Sequence, residues 1–304
     1  LTTIPGGTLN GQGGQFQSYA IRGFSRSRIR TEVDGIPIIT DRRAGNSISF
    51  ISTGLLYAVQ VQKGPSSVLY GSQALGGVVN LSTAIIEPSL EASVSFNNNA
   101  VNLTAKNVFD IKDDQVRAGL SIQQAKQDES ANGEALNTEF ERVSSKISFD
   151  TQFLDIDTRL TWLGSIGQDI GKSNNQYPET EVSNYPSEEH SLTQLQLNHV
   201  EGGTFKLFHH YQNWDNQTDK IDRYLSLNDY QSHTMGAQWL NSLTINNIDS
   251  YVGIDWLARK GVDINNQNQL YDDEISFGMR FEGQKATTHS LVNTFLVGIK
   301  VSSN

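Results

Sequence analysis

The feature that most limits how this chain can fold is a two-residue alternation of apolar and polar side chains that recurs from residue 90 onward. Period 2 belongs to a strand whose two faces meet different surroundings, because successive side chains on a strand point to opposite sides. Ile156, Thr158, Leu160, Trp162, Gly164 and Ile166 alternate with Asp155, Asp157, Arg159, Thr161, Leu163 and Ser165. The first series is mainly apolar, the second nearly all polar. The same split separates Val116, Ala118, Leu120 and Ile122 from Arg117, Gly119, Ser121 and Gln123. Eleven such segments are predicted, near 91–98, 101–110, 115–125, 141–150, 154–166, 189–199, 204–214, 231–243, 247–259, 273–283 and 288–301, with 204–214 the least regular.

After one short first turn, tight turns near 111–114, 151–153, 200–203, 244–246 and 284–287 alternate with long polar loops near 126–140, 167–188, 215–230 and 260–272. An antiparallel meander with short links at one end and long links at the other is the pattern of an outer-membrane β-barrel, whereas a soluble sandwich mixes loop lengths at both ends. With the short turns on the periplasmic side, the first segment runs outward and the eleventh ends near Val301 at the outer surface. Single-chain bacterial barrels close on an even number of strands, so further strands are expected after this segment.

Composition agrees with that reading. Only 37% of the 304 residues are hydrophobic, and no window approaches the ~18 apolar residues of a membrane-crossing helix. Transmembrane strands need only about 10 residues each and hide their apolar half in the alternation. The net charge of −10 argues against nucleic acid as a partner, since phosphate binding needs Lys and Arg gathered on one face. The absence of cysteine removes disulfides, thiolate zinc sites and Cys nucleophiles together. Residues 1 to 30 begin with Leu1 and hold no apolar signal core behind a basic start, so sequence upstream of Leu1 is expected.

Residues 1 to 87 have a different texture, Gly-rich with short apolar runs such as Ile36-Pro37-Ile38-Ile39, and are predicted to form a small α/β unit ahead of the meander at 88 to 304. The most informative stretch runs from Lys63-Gly64-Pro65 through Tyr70-Gly71 to Gly76-Gly77-Val78-Val79-Asn80. Gly71 and Gly76 have phosphate-loop spacing, but Gly77 stands where a Lys would be required, which excludes a nucleotide site. This stretch resembles the plug signature of TonB-dependent outer-membrane receptors. Ile4-Pro5-Gly6, Ile21-Arg22-Gly23-Phe24 and Val33-Asp34-Gly35-Ile36-Pro37 precede it in the family's order. Lys63 departs from the pattern, the family usually having Arg there. The signature residues are Gly23, Asp34, Gly35, Gly64, Pro65, Tyr70, Gly71, Gly76, Gly77 and Asn80.

The resemblance implies a mainly β protein of the bacterial outer membrane, monomeric and embedded in lipid: a plug, then about half of a 22-strand barrel with a plugged lumen. It implies active uptake of a scarce, bulky nutrient, an iron chelate such as a ferric siderophore or haem, with cobalamin as the alternative, powered by a periplasmic TonB protein. No resident cofactor is expected; any iron belongs to the cargo. By analogy with the family, two plug loops face outward and carry Gln12 and Gln15, and Arg42, Arg43 and Asn46. A guanidinium offers a rigid donor fork to carboxylate or catecholate oxygens. Arg22 and Lys63 fall where family members place basic residues that meet barrel glutamates and lock the plug. Glu274 and Glu282 on inward positions are candidate partners on this half.

The six histidines (His190, His199, His209, His210, His233 and His289) have no metal-ligand spacing, and Asp272-Asp273-Glu274 lacks the spacing of a calcium loop, so solvated or structural roles outweigh ligation for both. Trp162, Trp239 and Trp256 lie on apolar faces and read as lipid-facing or interfacial aromatics. No nucleophile elbow or catalytic carboxylate pair stands out, which favours a non-enzyme. Two other readings stay open: a receptor-like surface binding or signalling module, and a soluble all-β carbohydrate-binding or carbohydrate-degrading protein, which detergent dependence would separate.

Overall fold

The computed structural model describes the chain apart from residues 1–4, 12–14, 16, 26–27, 41–47, 65–69, 71, 96–99, 173–180, 200–202, 221–222, 246–247, 267, 270–273, 287–291 and 304. Its first part holds two small sheets. β1 (Gly7–Gly11), β2 (Gln17–Ile21) and β3 (Phe24–Ser25) form an antiparallel three-stranded sheet. β4 (Ile29–Val33), β5 (Ile36–Pro37), β6 (Ala58–Lys63) and β7 (Gly77–Ser82) form the second, ordered β5-β4-β7-β6, with β4 parallel to β7. Two signature motifs are turns with a shared geometry. Arg22 (φ 50°) and Gly23 (φ 82°) join β2 to β3, and Asp34 (φ 51°) and Gly35 (φ 80°) join β4 to β5. Two consecutive left-handed residues make the type I′ hairpin turn, whose twist matches that of the strands it joins. Among the described residues the helical component expected of this unit is short, with 3-10 turns at Thr53–Leu55 and Ser72–Ala74 and helical geometry at Arg28 and Tyr70.

From Ser89 the chain becomes a single antiparallel meander: β8 (Ser89–Ser95), β9 (Ala100–Ile111), β10 (Asp114–Ala125), β11 (Phe140–Phe153), β12 (Ile156–Lys172), β13 (Val182–His199), β14 (Gly203–Lys220), β15 (Tyr224–Ile245), β16 (Ile248–Asp263), the two-residue β17 (Asn268–Gln269), β18 (Glu274–Ala286) and β19 (Val292–Ser303). Its polarity is inverted relative to a soluble domain. Leu103, Leu120, Val143, Ile147, Leu160 and Ile254 are exposed on the outer face, while Thr104, Ser121, Arg142, Lys146, His190 and Gln212 are buried on the inner one. No described helix is long and apolar enough to cross a membrane.

Two loops expected from the sequence are shorter than predicted. The stretch 215–230 is strand on both sides of three residues, with pairing continuing from Asp215↔Asp229 to Lys220↔Tyr224, and 167–188 is strand as far as Lys172 and again from Val182. β15 has 22 residues, about twice what crossing requires. Beyond the bilayer neither face meets lipid, so the alternation fades while the backbone ladder continues. The weak pattern of 204–214 has a related cause: inward Phe208 and Trp214 are buried in the lumen, and outward His209 and Tyr211 are polar.

The core lies between the two parts. Ile29, Val33, Ile36, Ile38, Phe50, Val79 and Leu81 of the first part pack with Leu163, Leu192, Phe208 and Leu257 of the wall. Those four apolar residues stand among polar inward side chains, apart from a second buried cluster around Ile170, Tyr185 and Trp214, and each contributes about 2 kcal/mol by leaving water.

Candidate functional site

The described parts of the segment between β5 and β6, 38–40 and 48–57, lie against one rung of the wall. Thr104, Ser121, Ser144, Ser165, His190, Gln212 and Ser232 are register partners, each of the next, across β9 to β15. Their pairing puts small hydroxyl and amide side chains at one level of the inner face. Ser52 Oγ lies 2.5 Å from Ser121 Oγ, which is itself 2.8 Å from Thr104 Oγ1. Ser144 donates to the Phe50 carbonyl (3.3 Å), and Gln212 donates to the Ile39 carbonyl (3.0 Å). The Phe50 ring stacks on His190 at 4.0 Å. Gly54 rests directly on Thr104, where a β-carbon would overlap the hydroxyl. Backbone without a local ladder thus finds its partners in the wall, as buried carbonyls require.

A second contact centres on Asp34. Its carboxylate accepts from Thr83 N (2.8 Å) and Thr83 Oγ1 (2.6 Å), and Asn80 Oδ1 accepts from Gly35 N (3.1 Å). The signature residues Asp34, Gly35 and Asn80 therefore meet at one turn. The wall completes it: Lys146 Nζ donates to Thr83 O and Thr83 Oγ1, both at 2.6 Å, and lies 3.4 Å from Asp34 Oδ2. Lys206 Nζ donates to Asp34 O at 3.1 Å.

Behind the rung runs a buried polar chain. Arg142, 0% exposed, donates to Glu188 Oε2 (2.6 Å) and to Ser165 (3.0 Å). Glu188 Oε1 is 2.9 Å from His190 Nε2, and His190 Nδ1 is 3.1 Å from His210 Nε2. Charges this deep persist only when paired, as Arg142 and Glu188 are. Within the first part of the chain, Tyr19 hydrogen-bonds Thr31, and burial pushes its phenol above the ordinary tyrosine range.

The residues singled out from the sequence fall into three groups. Gln12, Arg42, Arg43, Asn46, Pro65 and Gly71 lie outside the described residues, as do Asp272 and Asp273. Gln15 is in the β1–β2 connection with a buried side-chain oxygen. Arg22 and Lys63 are exposed and make no ion pair with a described residue, while Glu274 and Glu282 stand in β18 in register with Arg259 and Tyr251. Tyr70 takes the Arg30 guanidinium on its carbonyl (2.7 Å), Gly64 N donates to Gly76 O (3.2 Å), and Gly77 (φ 142°) is pressed against the Gln62 carbonyl. Sequence reasoning passed over Arg142, Lys146, Glu188 and Lys206, and named His190 only as one of six histidines without metal-ligand spacing. The available signal was a full charge at the middle of an inward series, a position that has to find a partner.

Residues 1–78 match the family described as TonB-dependent Receptor Plug Domain. The chain is 42% identical over 84 residues to a hemin receptor of Yersinia enterocolitica and 36% identical over 85 residues to the vitamin B12 transporter BtuB of Vibrio vulnificus (strain YJ016). Each match covers 27% of this chain, and 12% and 14% of those relatives respectively. In fold it is similar to the copper transporter OprC, with a TM-score of 0.78 and 14% identity over 99% of this chain and 51% of that one. The chain thus spans about half the length of that structure.

Proposed function

We propose, from the premise that this chain belongs to the TonB-dependent receptor family, whose members are outer-membrane β-barrel proteins, that it serves energy-dependent import of a bulky nutrient across that membrane. In this reading residues 1 to 87 are the plug and 88 to 304 the first half of the barrel. The supporting observation is the seat itself, in which segments 38–40 and 48–54 are hydrogen-bonded to a rung on the inner face of the wall. A lumen occupied in this way passes a large molecule only when the plug moves, and movement against many small contacts needs external work. A periplasmic TonB protein would supply it.

The cargo we favour is an iron chelate or haem, with cobalamin as the alternative, and the protein is a transporter, not an enzyme. Ligand would dock on the outward plug loops through Gln12, Gln15, Arg42, Arg43 and Asn46, while Arg22 and Lys63 would lock the plug to wall beyond β19. The test is uptake of radiolabelled ferric enterobactin, haem and cyanocobalamin by cells carrying the full-length receptor. Import of one probe that stops when TonB is deleted or the proton gradient is collapsed is the expected result. Import indifferent to both overturns the reading.

A further inference from the structure

On β13 to β16 the apolar outward series gives way, on the side of the long loops, to a strip of polar side chains. Leu207, Met235, Trp239 and Ile254 are exposed on the apolar band below it. Ser191, Tyr211, His233 and Lys260 follow as register partners, each of the next, on four successive strands. His209 stands beside them, two residues before Tyr211 on the same face. Among the described residues of β9 to β16, Lys260 is the one lysine or arginine in an outward series, and it is exposed; the others fall in the inward series. The closer an ionisable side chain stands to lipid, the more it needs a partner.

These groups are set to donate. Gln231 Nε2 donates to Tyr211 Oη (3.2 Å), which leaves the phenol's own hydrogen for another acceptor. His209 Nε2 and His233 Nδ1 lie 3.1 Å apart, with their rings stacked within 19°. One of those two nitrogens carries the shared proton, so either tautomer of the neutral pair has one N–H left over, on His233 Nε2 or on His209 Nδ1. The Tyr211 ring lies against His233, with centroids 5.1 Å apart. Lys260 makes no ion pair among the described residues, and the outward carboxylates of β13 to β16 (Glu189, Asp215, Asp219 and Asp229) lie further along the strands toward the long loops. An ammonium, a phenol and an imidazole N–H thus border the apolar band, and together they match the terminal oxygens of a phosphate.

We propose that this strip binds a membrane lipid with a phosphate headgroup, the phosphate held by Lys260, Tyr211 and the His209–His233 pair and the acyl chains lying along Leu207, Trp239 and Ile254. Lipid is the occupant because of charge and position together. The one outward cation stands where polar side chains meet apolar ones, which is where a headgroup phosphate meets its chains. The inference needs the barrel in its membrane, but not the import reading above.

The experiment is calorimetric titration of the full-length receptor, in micelles of an uncharged detergent, with three probes. They are dioctanoyl phosphatidic acid, dioctanoylglycerol, which lacks the phosphate, and inorganic phosphate, which lacks the chains. Phosphatidic acid is expected to bind saturably, and the other two about tenfold more weakly or less tightly still. Lys260→Gln should weaken phosphatidic acid by about tenfold, the scale of one charge-assisted hydrogen bond, and Tyr211→Phe by about threefold, while Lys260→Arg keeps the affinity. Lys260 and Tyr211 stand on the outer face away from the plug seat, and Tyr211→Phe keeps the test open should Lys260→Gln fail to fold. Equal affinity of the parent, Lys260→Gln and Tyr211→Phe for phosphatidic acid overturns the site. Inorganic phosphate binding as tightly as the lipid also overturns it, since the strip would then hold a free anion, and so does dioctanoylglycerol binding as tightly, since adhesion would then be apolar alone. None of these outcomes is read from uptake, so the lipid site can fail while import stands.

Discussion

The wall along β9 to β11 and the wall along β13 to β15 hold the same plug in different ways. On the first, small hydroxyls and one lysine meet the plug backbone at hydrogen-bond distance with no space between. On the second, the upper rung is tied by Phe50 and Gln212, but the lower wall stands off around Lys206. The difference follows from side-chain size and reach. Ser121, Ser144 and Thr104 are short and let the plug backbone come close, whereas Gln196, Lys206 and Gln238 are long and keep it at a distance. A plug held this way is hydrogen-bonded at close range along one arc and packed through Leu192 and Phe208, beside a cavity, along the other.

The largest effect should come from the buried chain that joins the two arcs. Arg142→Met leaves Glu188, 2% exposed, without its guanidinium and should cost about 3–5 kcal/mol, read as a lower denaturation midpoint of the refolded protein in detergent. A loss under ~1 kcal/mol would mean that Glu188 is neutral and the pair contributes little. Next comes Lys146→Met, which strips Asp34 and Thr83 of their wall donor. About 2 kcal/mol is expected, with the plug becoming the first region cleaved in limited proteolysis. If cleavage begins in the wall instead, the tight arc is not what holds the plug.

Gly54→Ala drives a methyl into Thr104 and should cost ~1–3 kcal/mol, most of it recovered in the Gly54→Ala, Thr104→Gly double variant. Failure of that rescue would show that the two sites do not share a contact. Ser121→Ala removes a hydroxyl bonded to Ser52 and Thr104 and should cost about 1 kcal/mol. The smallest effect is expected from Arg22→Ala and Lys63→Ala, both exposed, within ~0.5 kcal/mol in residues 1 to 304 alone. A larger loss there would place a lock partner for them on this half of the wall.

Much of the barrel was legible because lipid imposes a rule that can be read one residue at a time: every second side chain must be apolar. Leu103, Leu120, Ile147 and Leu160 obey it, and the expected segments correspond to β8 to β16, β18 and β19. Where strands leave the bilayer the rule lapses, and so 215–230 was read as loop although its backbone stays paired. The plug signature was legible for another reason. Asp34-Gly35 and Arg22-Gly23 are local solutions to a left-handed two-residue turn, and local chemistry is written in adjacent residues.

The seat was not legible. Ser121 and Ser52 are 69 residues apart, Gln212 and Ile39 are 173 apart, and no spacing rule connects them. The sequence by itself determined the alternation, hence the faces and the meander, together with the turns of the signature motifs. Tertiary structure alone decided which rung meets the plug, because register across β9 to β15 aligns seven side chains from seven strands into one row. It also decided that Lys146 and Arg142 would be buried and paired while Arg22 and Lys63 stayed exposed. A charge in a chain carries no mark of its partner. Burial and distance assign the partner, and both exist only once the strands have paired and packed against the plug.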